Sequence, residues 1–203
     1  MNVKQQIVSQ FKQPHDCLGQ LAGFIMTNRP SNIERNEWTL ELLDLKPADR
    51  VLEVGFGPGI AIEKLSQIVK QGLIVGIDHS ETMLHQAKKR NAMVIRDGLV
   101  KLHLGSIGDL PEYGQPFDKI YSANVVQFWG NMEKYFAQLH DLLAPGGKIA
   151  TTYMPRHSGA TNTDAQKKAD EIVVVLRDLG FKNIQVREKT LKPVSVICVL
   201  AEK

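Results

Sequence analysis

The chain has 203 residues, of which 43% are hydrophobic, and this length suits one globular domain with a sizeable core. Its 25 Lys and Arg residues face 22 Asp and Glu residues, and this small excess predicts no basic surface for nucleic acid. The N-terminus lacks the apolar core of a signal peptide, and no window approaches the ~18 apolar residues of a membrane span. The two cysteines form no CxxC pair, so no disulfide or zinc framework is expected. Together these features favour a cytoplasmic protein.

Residues 1–45 are predicted to form a helical cap or lid. Apolar residues recur at helical spacing over residues 3–11, which indicates a short amphipathic helix. In residues 16–32 the glycines break any clean helix, and the apolar residues form either a lid over a binding site or an ordinary packed cap. The next helix has Ser31 and Glu34 in a capping-box arrangement at its start.

From residue 49 onward, strands alternate with helices. The predicted strands are 50–54, 73–78, 100–105, 117–124, 148–154, 183–189 and 194–202. The predicted helices are 60–72, closed by Gly72, then 80–95, 131–143 and 164–179. Residues 144–147, APGG, read as a turn. This alternation predicts a Rossmann-like, doubly wound α/β sheet, mostly parallel with an antiparallel C-terminal strand pair and helices on both faces, within a single domain over residues 1–203.

The stretch VLEVGFGPGI places glycines at every second position directly after an apolar strand. Gly55, Gly57 and Gly59 allow the backbone to turn sharply and to approach a ligand closely, while the following helix presents its N-terminal N–H groups. Alternatively, the glycines form only a tight structural connection. Asp78 ends the next strand, 19 residues after Gly59, where a carboxylate can accept hydrogen bonds from two ribose hydroxyls. The alternative for Asp78 is a charge at the N-terminus of the helix that begins near Ser80.

The spacing of the glycines separates two classes of cofactor. A dinucleotide turn reads GxGxxG or GxGxxA, and that register places Ile60 where a small residue is required. Glu53, in the strand itself, is unfavourable beside a pyrophosphate but suits a ligand that carries an ammonium group. The charge pattern therefore disfavours NAD.

Five motifs in chain order resemble the class I S-adenosylmethionine-dependent methyltransferases. They occupy about half of the chain, at approximately the spacing of that family: VLEVGFGPG, IVGIDHSETML, GSIGDLP, FDKIYSANVVQFW and LLAPGGKIATTYM. The resemblance implies that S-adenosylmethionine is the cofactor, that S-adenosylhomocysteine is the product, and that residues 49–203 form the cofactor-binding core.

The resemblance also implies roles for individual residues. It places Glu53 and the three glycines around the methionyl moiety, Asp78 at the ribose and the remaining residues at the adenine or on the floor beneath the cofactor. The adenine-side and floor residues are His79, Met83, Gly105, Ser106, Ile107, Asn124 and Val125. Many relatives have Asp where this chain has Ser106, so the main chain is an alternative source of adenine recognition. Core packing is the alternative for Met83 and Ile107.

The chemistry that the resemblance implies is direct SN2 transfer of the methyl group, in which a nucleophile of the acceptor bonds to the methyl carbon as the bond to the sulfonium breaks. The protein has to align the reacting atoms and exclude water, so no triad or metal is expected, and we assign no catalytic base. The residues placed to contact the acceptor are Asn36, Gln127, Trp129, Tyr153 and His157. Their alternatives are a structural hydrogen bond for Asn36, packing under the next helix for Trp129 and a solvated loop position for His157.

The chain has no large insertion after the fourth strand that would recognise a protein or a folded RNA. We therefore expect a small-molecule acceptor and a monomer or homodimer. Three alternatives are a methyltransferase that acts on RNA or protein with a partner subunit, a nicotinamide-dependent reductase, and a module that binds the cofactor without catalysis.

Overall fold

Seven strands form one sheet in the part of the chain that the computed structural model describes, residues 30–203. The strands are β1 (Arg50–Val54), β2 (Leu73–Asp78), β3 (Val100–Leu104), β4 (Phe117–Ala123), β5 (Leu143–Tyr153), β6 (Lys182–Lys189) and β7 (Val196–Glu202). Their order is β3-β2-β1-β4-β5-β7-β6. The first five strands pair in parallel, and β7 runs antiparallel to β5 and β6, which confirms the predicted sheet. The predicted helix over residues 3–11 and most of the predicted lid lie outside the described residues.

The helices cover both faces of the sheet. They are α1 (Pro30–Leu42), α2 (Ile60–Ile68), α3 (Glu81–Arg90), α4 (Ala92–Arg96), α5 (Met132–Leu142) and α6 (Asn162–Asp178), with 3₁₀ turns at Ile107–Asp109 and Val126–Phe128. Successive side chains of β1 alternate between the two faces: Val51 packs in the core with α1 and α2, and Leu52 packs in the core with α5 and α6. Both side chains are fully buried, as strands covered by helices require.

The predicted helix over residues 60–72 ends earlier than expected. α2 stops at Ile68, and Gly72 lies in the connection to β2. A Cβ at Gly72 would lie 1.9 Å from the carbonyl oxygen of Asp49. The glycine is therefore required by a close approach between two backbone segments, and the prediction that it closes the helix is wrong.

The predicted helix over residues 80–95 is divided into α3 and α4 at Asn91. The Asn91 side-chain amide donates hydrogen bonds to the carbonyls of Ala87, at 3.0 Å, and Gly59, at 3.1 Å. This side chain ties the junction to the glycine loop after β1. The predicted N-cap is confirmed, because the Ser80 hydroxyl accepts a hydrogen bond from the Met83 amide at 3.4 Å.

Two further local predictions are wrong. Residues 144–147 belong to β5 and do not form a separate turn: the Gly146 amide donates to Lys203 and the Lys203 amide donates to Gly147, both at 3.1 Å. Ser31 is not an N-cap, because α1 already begins at Pro30. The Ser31 hydroxyl instead accepts a hydrogen bond from the Arg156 guanidinium at 3.1 Å.

Candidate functional site

The carboxyl ends of β1 and β4 form the point at which the strand order of the sheet reverses. β1 lies between β2 and β4, so the connections after β1 and β4 leave toward opposite faces. In open α/β sheets, such a switch point leaves a crevice beyond the carboxyl ends of the strands, where ligands bind. The sequence places the glycine loop at this edge.

Gly55, Gly57 and Gly59 all have positive φ angles, of 76°, 53° and 80°. A Cβ at Gly55 would lie 2.4 Å from Cγ2 of Val125, and a Cβ at Gly59 would lie 2.5 Å from the Asn91 amide. A Cβ at Gly57 would meet no atom of residues 30–203 within 4 Å. The loop is therefore packed at both ends and open in the middle, where its backbone faces the crevice.

The Asp78 carboxylate fastens this loop to the end of β2. The side chain is 8% exposed, and it accepts hydrogen bonds from the Gly57 amide at 2.8 Å and from the Ser80 amide at 2.9 Å. The bond to Ser80 supports α3 at its N-terminus, which is the alternative role predicted from the sequence. Each carboxylate oxygen also has a second acceptor site for a ligand hydroxyl.

Glu53 is a buried carboxyl group whose hydrogen bonding is incomplete. It is 4% exposed, and its Oε2 atom has no hydrogen-bond partner among residues 30–203. Burial raises the pKa of Glu53 well above its usual range, and the nearby Asp78 carboxylate raises this pKa further. The side chain lines a cavity of about 150 Å³, together with Gly55 and Gly57. A buried carboxyl oxygen without a partner in the protein is a candidate contact for a ligand that donates a hydrogen bond.

Arg35 lines the same cavity, and the sequence analysis did not identify it. Burial lowers its pKa to about 10, so the guanidinium remains charged at neutral pH. Its terminal nitrogens donate to Asn32 at 3.2 Å and to Asn36 at 3.4 Å, whereas Nε has no partner among residues 30–203. Arg35, Thr39 and Leu43 are spaced four residues apart and so share the buried face of α1 and its C-terminal end. This spacing was the sequence signal that could have identified Arg35.

Asn36 is the one predicted acceptor-contact residue that lines this cavity. Its side-chain oxygen accepts a hydrogen bond from the Tyr121 hydroxyl at 2.7 Å. Burial raises the pKa of Tyr121 well above its usual value, so the phenol stays protonated and donates this bond. The structural hydrogen bond offered as the alternative for Asn36 is therefore present, on the wall of the cavity.

Asn124 and Val125, predicted for the floor beneath the cofactor, shape the site through contacts within the protein. Asn124 has a φ of 55°, and its side chain both accepts from the Met154 amide and donates to the Met154 carbonyl, each at 2.8 Å. This pair of bonds joins the ends of β4 and β5. Val125 lies directly against the α-carbon of Gly55.

The predicted adenine-side residues lie outside the cavity at Glu53. The Ser106 hydroxyl donates to the Asp109 carboxylate at 2.8 Å, and Ile107 is buried in the core. The imidazole of His79 is exposed, and Met83 is half-buried in the first turn of α3. Gly105, with a φ of 141°, carries the chain from β3 into this loop.

The remaining predicted acceptor-contact residues are not brought together. Trp129 stacks on Tyr135 of α5 with ring centroids 5.2 Å apart, which agrees with the packing alternative. The exposed Gln127 donates to the Asn124 carbonyl at 2.6 Å. The exposed His157 lies 3.7 Å from the Asp164 carboxylate, and Tyr153 is half-buried at the end of β5.

Within residues 30–203, no three His, Cys, Asp or Glu side chains are grouped as metal ligands. No helix in this part of the chain is long and apolar enough to cross a membrane.

The comparisons with known proteins all lead to methyltransferases. The sequence profile described as "Methyltransferase domain" matches residues 51–147. The chain is 33% identical to "Uncharacterized methyltransferase YdaC" of Bacillus subtilis over 183 residues, which cover 90% of this chain and 98% of that protein. It is 32% identical to the trans-aconitate 2-methyltransferase of Variovorax paradoxus over 120 residues, 58% of this chain and 44% of that protein. The fold matches the N-methyltransferase NodS of Bradyrhizobium japonicum, solved with S-adenosyl-L-homocysteine, with a TM-score of 0.74 at 16% identity and 97% coverage of each chain.

Proposed function

Because this chain belongs to the class I S-adenosylmethionine-dependent methyltransferases, we propose that it transfers a methyl group from S-adenosylmethionine to a small-molecule acceptor. The observation that carries this proposal is that Glu53 and Arg35 line the same cavity at the end of β1. Each of these side chains has a buried polar atom without a partner among the described residues.

The charges in this cavity match the amino-acid end of S-adenosylmethionine. Its ammonium group is a donor for the unpartnered Oε2 of Glu53, and its carboxylate is an acceptor for the guanidinium of Arg35. A pyrophosphate offers no donor for Glu53 and places a negative charge beside it. The cavity therefore supports S-adenosylmethionine over NAD.

Asp78 is the residue that we assign to the ribose hydroxyls of the cofactor. Its carboxylate is already oriented by the amides of Gly57 and Ser80, so the position of its remaining acceptor sites is fixed before a ligand binds. The open backbone at Gly57 lies next to it and leaves room for the ligand. His79, Met83 and the loop of Gly105, Ser106 and Ile107 remain the proposed adenine side.

When bound, S-adenosylmethionine would supply an electrophilic methyl group on a sulfonium, with the thioether of S-adenosylhomocysteine as the leaving group. The residues of this chain then have to orient the two partners and keep water away from them. Arg35, Glu53 and Asp78 would hold the donor, and Tyr121 lines the cavity together with Arg35 and Glu53. No described side chain is assigned as a general base.

A small-molecule acceptor is supported by the short connections at the carboxyl edge. Eight residues separate β4 from α5, including one 3₁₀ turn, and eight residues separate β5 from α6. Neither connection forms a recognition domain for a macromolecule. We propose residues 49–203 as the cofactor-binding core and residues 1–45 as its cap.

Calorimetric titration with S-adenosylmethionine, S-adenosylhomocysteine and NADH in parallel tests the cofactor assignment. We expect the first two ligands to bind and NADH not to bind. Transfer of labelled methyl to a cell extract then tests the acceptor: label should enter small molecules and should survive nuclease and protease treatment of the extract. Binding of NADH alone would contradict the proposal, and label that is lost after nuclease or protease would identify a macromolecular acceptor.

A further inference from the structure

A second, larger cleft opens at the carboxyl edge of the sheet, beyond the end of β5. Its volume is about 580 Å³, and its walls include Ser31 and Glu34 of α1, Arg156, and the β6–β7 connection at Leu191, Lys192 and Pro193.

The register of the C-terminal strands places this cleft on the same edge as the cofactor cavity. Tyr153 at the end of β5 pairs with Ile197, and Lys189 at the end of β6 pairs with Val196. The β6–β7 connection therefore meets the carboxyl end of β5. Since the methyl donor is proposed to bind at the carboxyl ends of β1 and β2, an acceptor in the cleft approaches it along one edge.

One side chain links the cleft to the cofactor cavity. The Asn32 oxygen accepts a hydrogen bond from Arg156 at 2.6 Å and another from Arg35 at 3.2 Å. Arg156 lines the cleft, whereas Asn32 and Arg35 line the cavity that also contains Glu53. The two spaces thus lie on either side of the first turns of α1.

The charged groups of the cleft are mostly cationic. Among the described residues that line it, Arg156 and Lys192 are cationic and only Glu34 carries a carboxylate, with which Lys189 pairs at 3.2 Å. Leu191 and Pro193 add apolar surface. A guanidinium and an ammonium group around a partly apolar cleft favour a ligand with a carboxylate or phosphate group on a carbon skeleton.

We propose that this cleft binds an anionic group of the methyl acceptor, a carboxylate or a phosphate, through Arg156 and Lys192. The inference rests on the proposed methyl transfer and narrows the acceptor to small organic acids or phosphate esters. Arg156 is held by Ser31 and Asn32, so its planar donors are oriented before the acceptor binds.

The test is an NMR titration of the ¹⁵N-labelled full chain with succinate, inorganic phosphate and, as an uncharged control, succinamide. We expect one of the two anions to shift the amides of residues 190–192 and residue 156 saturably, and succinamide not to do so. Lys192→Gln should weaken that anion's affinity by about three- to tenfold. The matched control is Lys182→Gln, on the same hairpin but at the other end of β6, which should leave the affinity unchanged.

The separate titrations with succinate and with phosphate distinguish a site for carboxylates from a site for phosphates. Arg156→Lys keeps the charge but removes the planar fork of donors, and it should also weaken binding. Equal effects of Lys192→Gln and Lys182→Gln, or shifts spread over the whole surface, would overturn the proposal because they indicate general charge screening. Titration of the same wild-type sample with S-adenosylhomocysteine keeps the two hypotheses apart: its failure to bind removes the methyl-transfer assignment, whereas its binding without any anion response removes only the anion site.

Discussion

The Asp78 carboxylate accepts a hydrogen bond from the amide of Gly57 at 2.8 Å, so the end of β2 holds the middle of the glycine loop that follows β1. This bond joins two residues that are 21 positions apart in the chain. The same carboxylate binds the Ser80 amide and supports the start of α3. A change at Asp78 therefore alters both the proposed ribose contact and the shape of the loop.

Asp78→Ala is expected to weaken binding of S-adenosylhomocysteine by about 1 to 3 kcal/mol, because it removes the charge-assisted acceptor for the ribose hydroxyls. It should also lower the melting temperature of the ligand-free protein, because the amides of Gly57 and Ser80 lose their partner. Calorimetry and thermal unfolding measure the two effects separately. Undiminished affinity would show that the ribose does not bind at Asp78.

Arg35→Gln and Asp78→Ala are expected to differ in which ligands they affect. Arg35→Gln should weaken the binding of S-adenosylhomocysteine by about tenfold or more, because a charged contact to the ligand carboxylate is lost. It should leave 5′-methylthioadenosine nearly unaffected, since this ligand has no amino-acid end. Asp78→Ala should weaken both ligands. Equal loss of both ligands in Arg35→Gln would place the amino-acid end elsewhere.

Glu53→Gln is expected to weaken the binding of S-adenosylhomocysteine by about tenfold, because the bound ammonium group loses an ionised acceptor. In wild-type protein the pKa of Glu53 is raised well above its usual range by burial. The ammonium group favours the ionised carboxyl, so we expect binding to release a proton and affinity to rise with pH up to this pKa. Calorimetry in buffers of different ionisation enthalpy measures the number of protons released on binding. The Glu53→Gln variant should release no proton from this position.

The raised pKa of Glu53 also predicts how the stability of the ligand-free protein depends on pH. Above the ordinary carboxyl pKa, the folded state holds a proton that the unfolded state has lost, so the contribution of Glu53 to the free energy of unfolding falls as pH rises toward its folded pKa. The stability of Glu53→Gln relative to wild type should therefore increase over the same range. Denaturant unfolding across that range checks this, and a difference that is independent of pH would contradict it.

Gly55→Ala is expected to lower the free energy of unfolding by about 2 to 4 kcal/mol, because its Cβ would meet Val125 and its φ is positive. Gly57→Ala has the φ strain but open space, so it should lower the free energy of unfolding by only about 1 kcal/mol. Val125→Ala should recover part of the loss in the double variant with Gly55→Ala. Additive effects of the two substitutions would mean that these residues do not contact each other.

The Cys198 thiol is expected to be unreactive in the folded protein. It is fully buried in β7, and burial raises its pKa to about 12. In a Cys17→Ser background, maleimide labelling of Cys198 at neutral pH should be at least about 100-fold slower in the native protein than in denaturant. An added cysteine at the exposed Ser158 is the control and should label rapidly in both conditions.

The order of elements and the position of the glycine loop could be predicted because they depend on local patterns. Short apolar runs between segments of helical periodicity predicted each of the seven described strands, whereas two helix boundaries differ from the prediction. The end at Gly72 was wrong because that glycine is required by the backbone of Asp49, which a local pattern does not show. The division at Asn91 likewise depends on a bond to Gly59, 32 residues away.

By itself, the sequence determined the doubly wound sheet, the glycine turn after β1 and the carboxylate that ends β2, since strand alternation and short-range spacing encode all three. Only the tertiary structure decided that Arg35 lines the same cavity as Glu53, that Val125 lies against Gly55 and that Trp129 packs on α5. These relationships depend on which faces of distant elements meet. Close packing between those faces decides which side chains come into contact, and local sequence patterns do not show this. The cleft proposed to bind the acceptor is of this second kind, because it is built from the start of α1, the end of β5 and the β6–β7 connection.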